Sequence, residues 1–211
     1  MLLVAHRSPR SADACQAVAD AGATVFEIDV QVWGGRLVVS HYLPIMGTPF
    51  RRDGWRVVRG WNPRHEPPLA DVAELVPRDR VVLLDLKEED PGRRADLLAA
   101  IVATLPASGR YLACTSIVED LDVLRDKGFH TWRTIGDQRQ LDAVVACGAI
   151  ADDAVTVNHT LLSRDVVDRL HSLTSTVVAW TVNDAQRARW LRDVGVDGLT
   201  TDSVAVMRVV R

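Results

Sequence analysis

Eight short apolar strands, most of them followed by a helix-length segment, predict an α/β fold, a compact (β/α)8 barrel. Three observations carry that expectation. Strands and helices alternate along the chain, as in βαβ units with a mainly parallel sheet. The strands read as nearly continuous apolar runs, the pattern of strands buried on both faces. No glycine-rich phosphate loop follows the first strand, which argues against a doubly wound open sheet. At 211 residues and 47% hydrophobic, the chain can bury a sizeable core. A single domain over residues 1–211 is expected, short enough for its fold that several helices should be short or missing.

The first strand is Leu2-Leu3-Val4-Ala5, ending at His6. A helix follows over about Ser11–Ala21, with Ser11 as N-cap and Gly22 as its stop. FEIDVQVWGGRLVVSH, from Phe26 to His41, reads as a strand, a Gly34-Gly35 turn and a second strand. Residues 43–68 break into Pro, Gly, Trp and Arg and read as one long irregular, lid-like insertion. The strand VVLLDLK (Val81–Lys87) restores the pattern, and a helix over Pro91–Leu105 carries the stripe Leu97, Leu98, Ile101, Val102, Leu105. RYLACTS, HTWRTI, AVTVNH, TVVAWTVN and GLTTD are the remaining strands. Helices are expected over Val118–Lys127, Gln138–Cys147, Ser163–Leu173, Asp184–Val194 and Ser203–Val210, several of them closed by a glycine.

In such a barrel the chemistry lies at the C-terminal ends of the strands. His6, Glu27, Asp29, His41, Asp85, Lys87, Trp180, Asn183 and Asp202 all fall at or near those ends. Glu27 and Asp29 share one face of an apolar strand, an arrangement costly to bury unless a cation neutralises it. Hard divalent cations prefer such oxygen ligands. Asp202, just before Ser203, also reads as a simple helix N-cap.

The net charge of −3 gives no general electrostatic reason to expect nucleic acid as a partner. The three cysteines are scattered and lack metal-type spacing, as in a reduced, cytoplasmic protein. No apolar run is long enough for a transmembrane segment. The first strand starts at Leu2, leaving no room for a leader, so the cytoplasm is the expected location.

In order along the chain, His6-Arg7, GA-xxx-E-x-D from Gly22 to Asp29, VVSH, LLDLK, AWTVN (Ala179–Asn183) and GVDGLTTD (Gly195–Asp202) resemble the motifs of the glycerophosphodiester phosphodiesterases. The resemblance spans nearly the whole chain. It implies that Glu27, Asp29 and Asp85 hold a divalent metal ion, Mg2+ or Ca2+. It also implies that His6 and His41 are the acid–base pair, that Arg7 and Lys87 contact phosphate, and that Trp180 lines the substrate wall. This sequence departs from the family's pattern at His6-Arg7-Ser8, at the short Ser8-Pro9-Arg10-Ser11 loop, at His41-Tyr42, and in carrying Asp85 where the family has Glu. Aspartate at that position is similar to the sphingomyelinase D-type phospholipases of the same barrel group.

The expected activity is cleavage of a small phosphodiester by histidine acid–base chemistry, possible through a cyclic phosphate where a neighbouring hydroxyl attacks first. Arg51, Arg52, Arg56, Arg59 and Arg64, interleaved with Phe50, Trp55 and Trp61, suit a binding cover for an anionic substrate. Arg56 and Arg59 are its candidate substrate contacts. A glycerophosphodiester-like or more anionic substrate is expected, with a lysophospholipid or a non-catalytic phosphate-binding barrel as alternatives.

Overall fold

The computed structural model describes residues 1–7, 11–45, 48, 50–53, 56–59, 65–107 and 109–211. Eight parallel strands close into a barrel: β1 (Leu2–Ala5), β2 (Val25–Trp33), β7 (Val81–Leu86), β8 (Tyr111–Thr115), β9 (His130–Ile135), β10 (Ala154–Asn158), β11 (Val177–Trp180) and β12 (Gly198–Thr201). Pairing of β1 with both β12 and β2 completes the ring. The remaining short strands are β3 (Arg36–Val39), β4 (Leu43–Pro44), β5 (Phe50–Asp53) and β6 (Arg56–Arg59). Strand β2 pairs with β7 as far as Val30, and its far end doubles back on β3 as an antiparallel hairpin. Gly34 and Gly35 turn that hairpin with φ of 56° and 75°, a conformation costly for any side chain with a Cβ.

The helices start where local chemistry supports a start. In α1 (Ala12–Asp20) the Ser11 side chain accepts from the Ala14 N–H. Asp90, Asp137, Ser163, Asp184 and Ser203 cap in the same way α3 (Pro91–Thr104), α5 (Gln138–Cys147), α6 (Arg164–His171), α7 (Ala185–Asp193) and α8 (Val204–Val210). Helix α4 is Val118–Asp126. These agree with the expected helices to within two residues at each end.

Three expectations need correction. Leu69–Leu75 forms a helix, α2, where no helix was expected; Leu69, Val72 and Ala73 bury its inner side. So each strand of the barrel has its helix: none is missing, and several are short as expected, α2 and α8 at seven residues and α6 at eight. Within residues 43–68 the chain is not irregular throughout: β4, β5 and β6 form a small antiparallel ribbon, with Asp53 paired to Arg56. In α3, Leu97, Leu98 and Ile101 are buried but Val102 is exposed, so the apolar stripe is narrower than the sequence suggests.

The core has two parts. A large outer cluster, including Phe26, Ile28, Leu84, Leu97, Ile101, Leu124, Leu170 and Leu191, fills the space between strands and helices. Inside the barrel a smaller plug is made of Val4, Val25, Leu83, Cys114, Trp132, Ala154 and Val178, one from each of seven strands. The eighth strand contributes Gly198, where an added Cβ would lie 3.0 Å from Leu2 Cβ. Among the described residues, no helix is long and apolar enough to cross a membrane.

Candidate active site

Two residues beyond each plug position, the strand's alternation brings the next side chain back to the barrel interior. Those positions are His6, Glu27, Asp85, Ser116, Thr134, Thr156, Trp180 and Thr200, and all eight line a single cavity of about 420 Å³ at the C-terminal mouth. Arg7, His41 and Lys87 line it too. The sequence-expected residues are therefore brought together. Asp29 lies beside them, opposite Asp85 in the strand register.

The acidic face is nearly closed to solvent, with Glu27 and Asp29 each 4% exposed. One ligand atom from each of Glu27, Asp29 and Asp85 lies within 4.8 Å of the others. The Arg7 backbone N–H donates to Glu27 Oε2 at 2.6 Å, and this holds Arg7 at φ 50°, an uncommon conformation for a residue with a side chain. Lys87 Nζ donates to Asp85 Oδ2 at 2.5 Å and stands 3.4 Å from Asp29 Oδ1. Burial pushes the Glu27 carboxyl well above the usual range, and the charges of Asp29 and Asp85 add to that. Burial also works against Asp29, but the hydrogen bond from His41 and the charges of Lys87 and Arg7 outweigh it and lower its pKa to about 2. Burial disfavours the Lys87 ammonium, yet Asp85 and Asp29 raise its pKa above the ordinary value.

Glu27 Oε1 is buried with no hydrogen-bond partner, and Asp29 Oδ1 has only the long contact to Lys87. Lys87 and the Arg7 guanidinium, whose Nε is 3.9 Å from Asp29 Oδ2, thus leave part of the charge of three carboxylates uncompensated. The set fits a hard divalent cation, whose oxygen ligands at roughly 2.1–2.6 Å are spaced as these are.

The two histidines are held differently. A guanidinium can only donate, so Arg7 Nη2, at 2.6 Å, makes His41 Nε2 an acceptor. The His41 proton then sits on Nδ1 and points at Asp29 Oδ2, 3.1 Å away. His6 Nδ1 instead faces Asp202 Oδ1 at 2.7 Å. Asp202 is not the cap of α8; Ser203 is. Asp202 and Asn183, whose side chains bond to each other, are the residues whose part in the site sequence reasoning missed. Their strand-end position was legible; their direction was not.

Away from the carboxylates the cavity wall is neutral, formed by Thr115, Ser116, Thr134, Thr156, Thr200 and Trp180. Arg56 and Arg59 fall on β6, but their side chains lie outside what the structure describes, as do Trp55, Trp61, Arg64 and the Ser8–Arg10 loop.

Residues 117–206 match the model of the Glycerophosphoryl diester phosphodiesterase family. The matched stretch is less than half of the chain. Proteins of that family are phosphodiesterases, that is, phosphoric diester hydrolases. No curated protein matches the chain. Among solved structures, a Silicibacter pomeroyi protein provisionally described as a glycerophosphoryl diester phosphodiesterase is similar at TM-score 0.76 and 19% identity, over 100% of this chain and 92% of that one. An Oleispira antarctica phosphodiesterase, solved with its product sn-glycerol-3-phosphate, is similar at TM-score 0.72 and 17% identity, covering 100% and 96%. A Thermotoga maritima glycerophosphodiester phosphodiesterase gives 0.71 and 20%, covering 100% and 98%. At those identities the likeness establishes the shared barrel.

Proposed function

We propose that this barrel is a divalent-metal-dependent phosphodiesterase acting on a small glycerophosphodiester-like substrate, or a more anionic one. The observation that carries the reading is the convergence of Glu27, Asp29 and Asp85 beside two carboxylate-held histidines in one cavity. Glu27, Asp29 and Asp85 would hold the ion, Mg2+ or Ca2+, which when bound supplies Lewis-acid stabilisation of charge on a non-bridging phosphate oxygen.

The chain's own groups supply the rest. Arg7 and Lys87 offer fixed positive charge to the phosphate, Arg7 in a forked geometry suited to it. In the resting geometry Arg7 occupies His41 Nε2. Turning the guanidinium onto phosphate would free that nitrogen, so substrate binding and exposure of His41 are coupled. His6 and His41 then divide the proton transfers, one accepting from the nucleophile and the other giving to the leaving alkoxide. A neighbouring hydroxyl on the substrate can serve as nucleophile and give a cyclic phosphate. Trp180 and the threonine wall would seat the part of the substrate away from the metal. The chain acts as a single domain, and the ribbon of β4, β5 and β6 would cover the mouth as a lid. The Arg52–Glu89 ion pair, which ties β5 to the loop after β7, supports that placement. The scattered cysteines, without metal-type spacing, suit a cytoplasmic location, and the net charge suits small-molecule rather than nucleic-acid partners.

A panel of phosphodiesters followed by phosphorus NMR, with and without chelator, tests the reading. Turnover that stops in chelator and returns with Mg2+ or Ca2+ is expected. Full turnover in excess chelator refutes metal dependence, and binding without turnover identifies a non-catalytic barrel.

A further inference from the structure

The contacts around His6 form a chain of fixed polarity that begins at backbone amides. The Ser203 N–H donates to Thr201 Oγ1 at 3.0 Å, so the Thr201 hydroxyl must turn its own hydrogen elsewhere. It donates to Asn183 Oδ1 at 2.9 Å. The Asp202 N–H donates to the same oxygen at 2.9 Å. The backbone N–H can only donate, so it fixes the amide's orientation, and the Thr201 hydroxyl follows it. Asn183 Nδ2 therefore faces Asp202 and donates to Oδ2 at 2.8 Å. With one carboxylate oxygen occupied, the other, Oδ1, is aimed at His6 Nδ1, 2.7 Å away. The His6 backbone is pinned as well, its N–H donating to Thr201 O at 3.1 Å.

From this network we propose that Asp202, braced by Asn183, is a positioning residue that holds His6 in its Nδ1–H tautomer and presents Nε2 to the cavity. An ionised carboxylate can only accept, so the shared hydrogen belongs to the imidazole and the opposite nitrogen carries the lone pair. Burial works against the Asp202 charge, but the hydrogen bonds from Asn183 and His6 prevail and lower its pKa. The two histidines thus differ in how they are tied. His41 leans on Asp29, which has a second task among the clustered carboxylates, whereas Asp202, held by Asn183, lies outside that cluster. As a base, His6 would gain an imidazolium-stabilising partner that metal binding leaves untouched.

The inference rests on the phosphodiesterase reading for its catalytic meaning, but its test does not. In long-range proton–nitrogen NMR of the 15N-labelled protein, with His6→Gln identifying the His6 signals, wild type should show the Nδ1–H tautomer. Asp202→Asn, whose amide can donate to Nδ1, should move His6 towards Nε2–H, and Asn183→Ala should give a mixture. With bis(4-nitrophenyl) phosphate as probe, Asp202→Asn should lower kcat by roughly a hundredfold to ten-thousandfold with little change in KM. A wild-type Nε2–H tautomer, or the wild-type tautomer persisting in both variants, would overturn the proposal. The expected tautomers in a protein that hydrolyses no diester would uphold the positioning role and count against the phosphodiesterase reading instead.

Discussion

In the layer that lines the mouth, strands up to Lys87 present ionisable side chains, and strands from Tyr111 onward present hydroxyls and Trp180. The same interior layer that holds His6, Glu27 and Asp85 on the first strands holds Ser116, Thr134, Thr156 and Thr200 on the later ones. The family match falls wholly on the second part, at residues 117–206, which contains Trp180, Asn183 and Asp202 but none of the clustered carboxylates. The stretch that matches the family model and the stretch that holds the clustered carboxylates are thus different parts of the chain. The later strands close the barrel and brace His6 from the far side. The early strands supply the groups whose burial is costly, and so hold the stored electrostatic tension of the site.

The sharpest break of that comparison is Asp29→Asn. It removes a charge from the cluster and the acceptor of His41 together, so turnover should fall on the order of a thousandfold or more, several kcal/mol of transition-state stabilisation. Calorimetric titration with Mg2+ or Ca2+ should show weakened binding, while the melting temperature changes little or rises as carboxylate repulsion is relieved. Unaltered metal affinity would mean the early strands do not hold the ion.

The counterpart in the later strands is Asp152. It is 5% exposed and accepts from Arg125, Thr131 and Arg133, with Arg133 Nε at 2.8 Å. Removing it leaves the buried Arg133 guanidinium without its carboxylate, while Arg125 keeps Asp122. Asp152→Ala should cost about 3–5 kcal/mol of stability, seen as an early thermal transition, with kcat per folded molecule unchanged. A large loss of kcat in folded protein would show the two parts are not separable.

His41→Ala comes next, with a fall in kcat of about a hundredfold. A substrate with a better leaving group should recover part of the loss if His41 is the acid, and none if it is the base. Smallest is the exposed pair Arg52–Glu89: its side chains are 40% and 61% exposed, so Arg52→Glu should cost less than about 1 kcal/mol. The effect should appear in KM rather than kcat and fade with added salt. No change in KM at low salt would remove the ribbon from substrate binding.

Much of this was legible in the sequence because strand periodicity is a local property. The run from Phe26 to His41 declares its hairpin through Gly34-Gly35, and the ends of α5 and α7 declare themselves through Gly148 and Gly195. Helix α2 was missed because Leu69–Leu75 is seven residues long and follows a proline-rich stretch, too short for a convincing helical repeat. The role of Asp202 was hidden for a different reason. An aspartate before a helix reads as its cap, and only the closure of β12 against β1 brings it to His6, 196 positions away in sequence. Hydrogen-bond direction at such range has no local signature.

The apolar plug has a consequence for how such a barrel changes over time. Because each mouth position stands two residues above a plug position, its chemistry can be exchanged while the packed volume beneath stays as it is. Asp85 sits over Leu83 whether it is aspartate or the longer glutamate, and Thr134 could become charged without disturbing Trp132. The mouth is therefore free to drift one strand at a time, at a cost paid in specificity rather than in folding. The exception is β12, where Gly198 lies against Leu2 and Val178 with added-Cβ distances of 3.0 and 3.1 Å. There the level below admits no side chain, so inheritance at that strand is constrained from underneath.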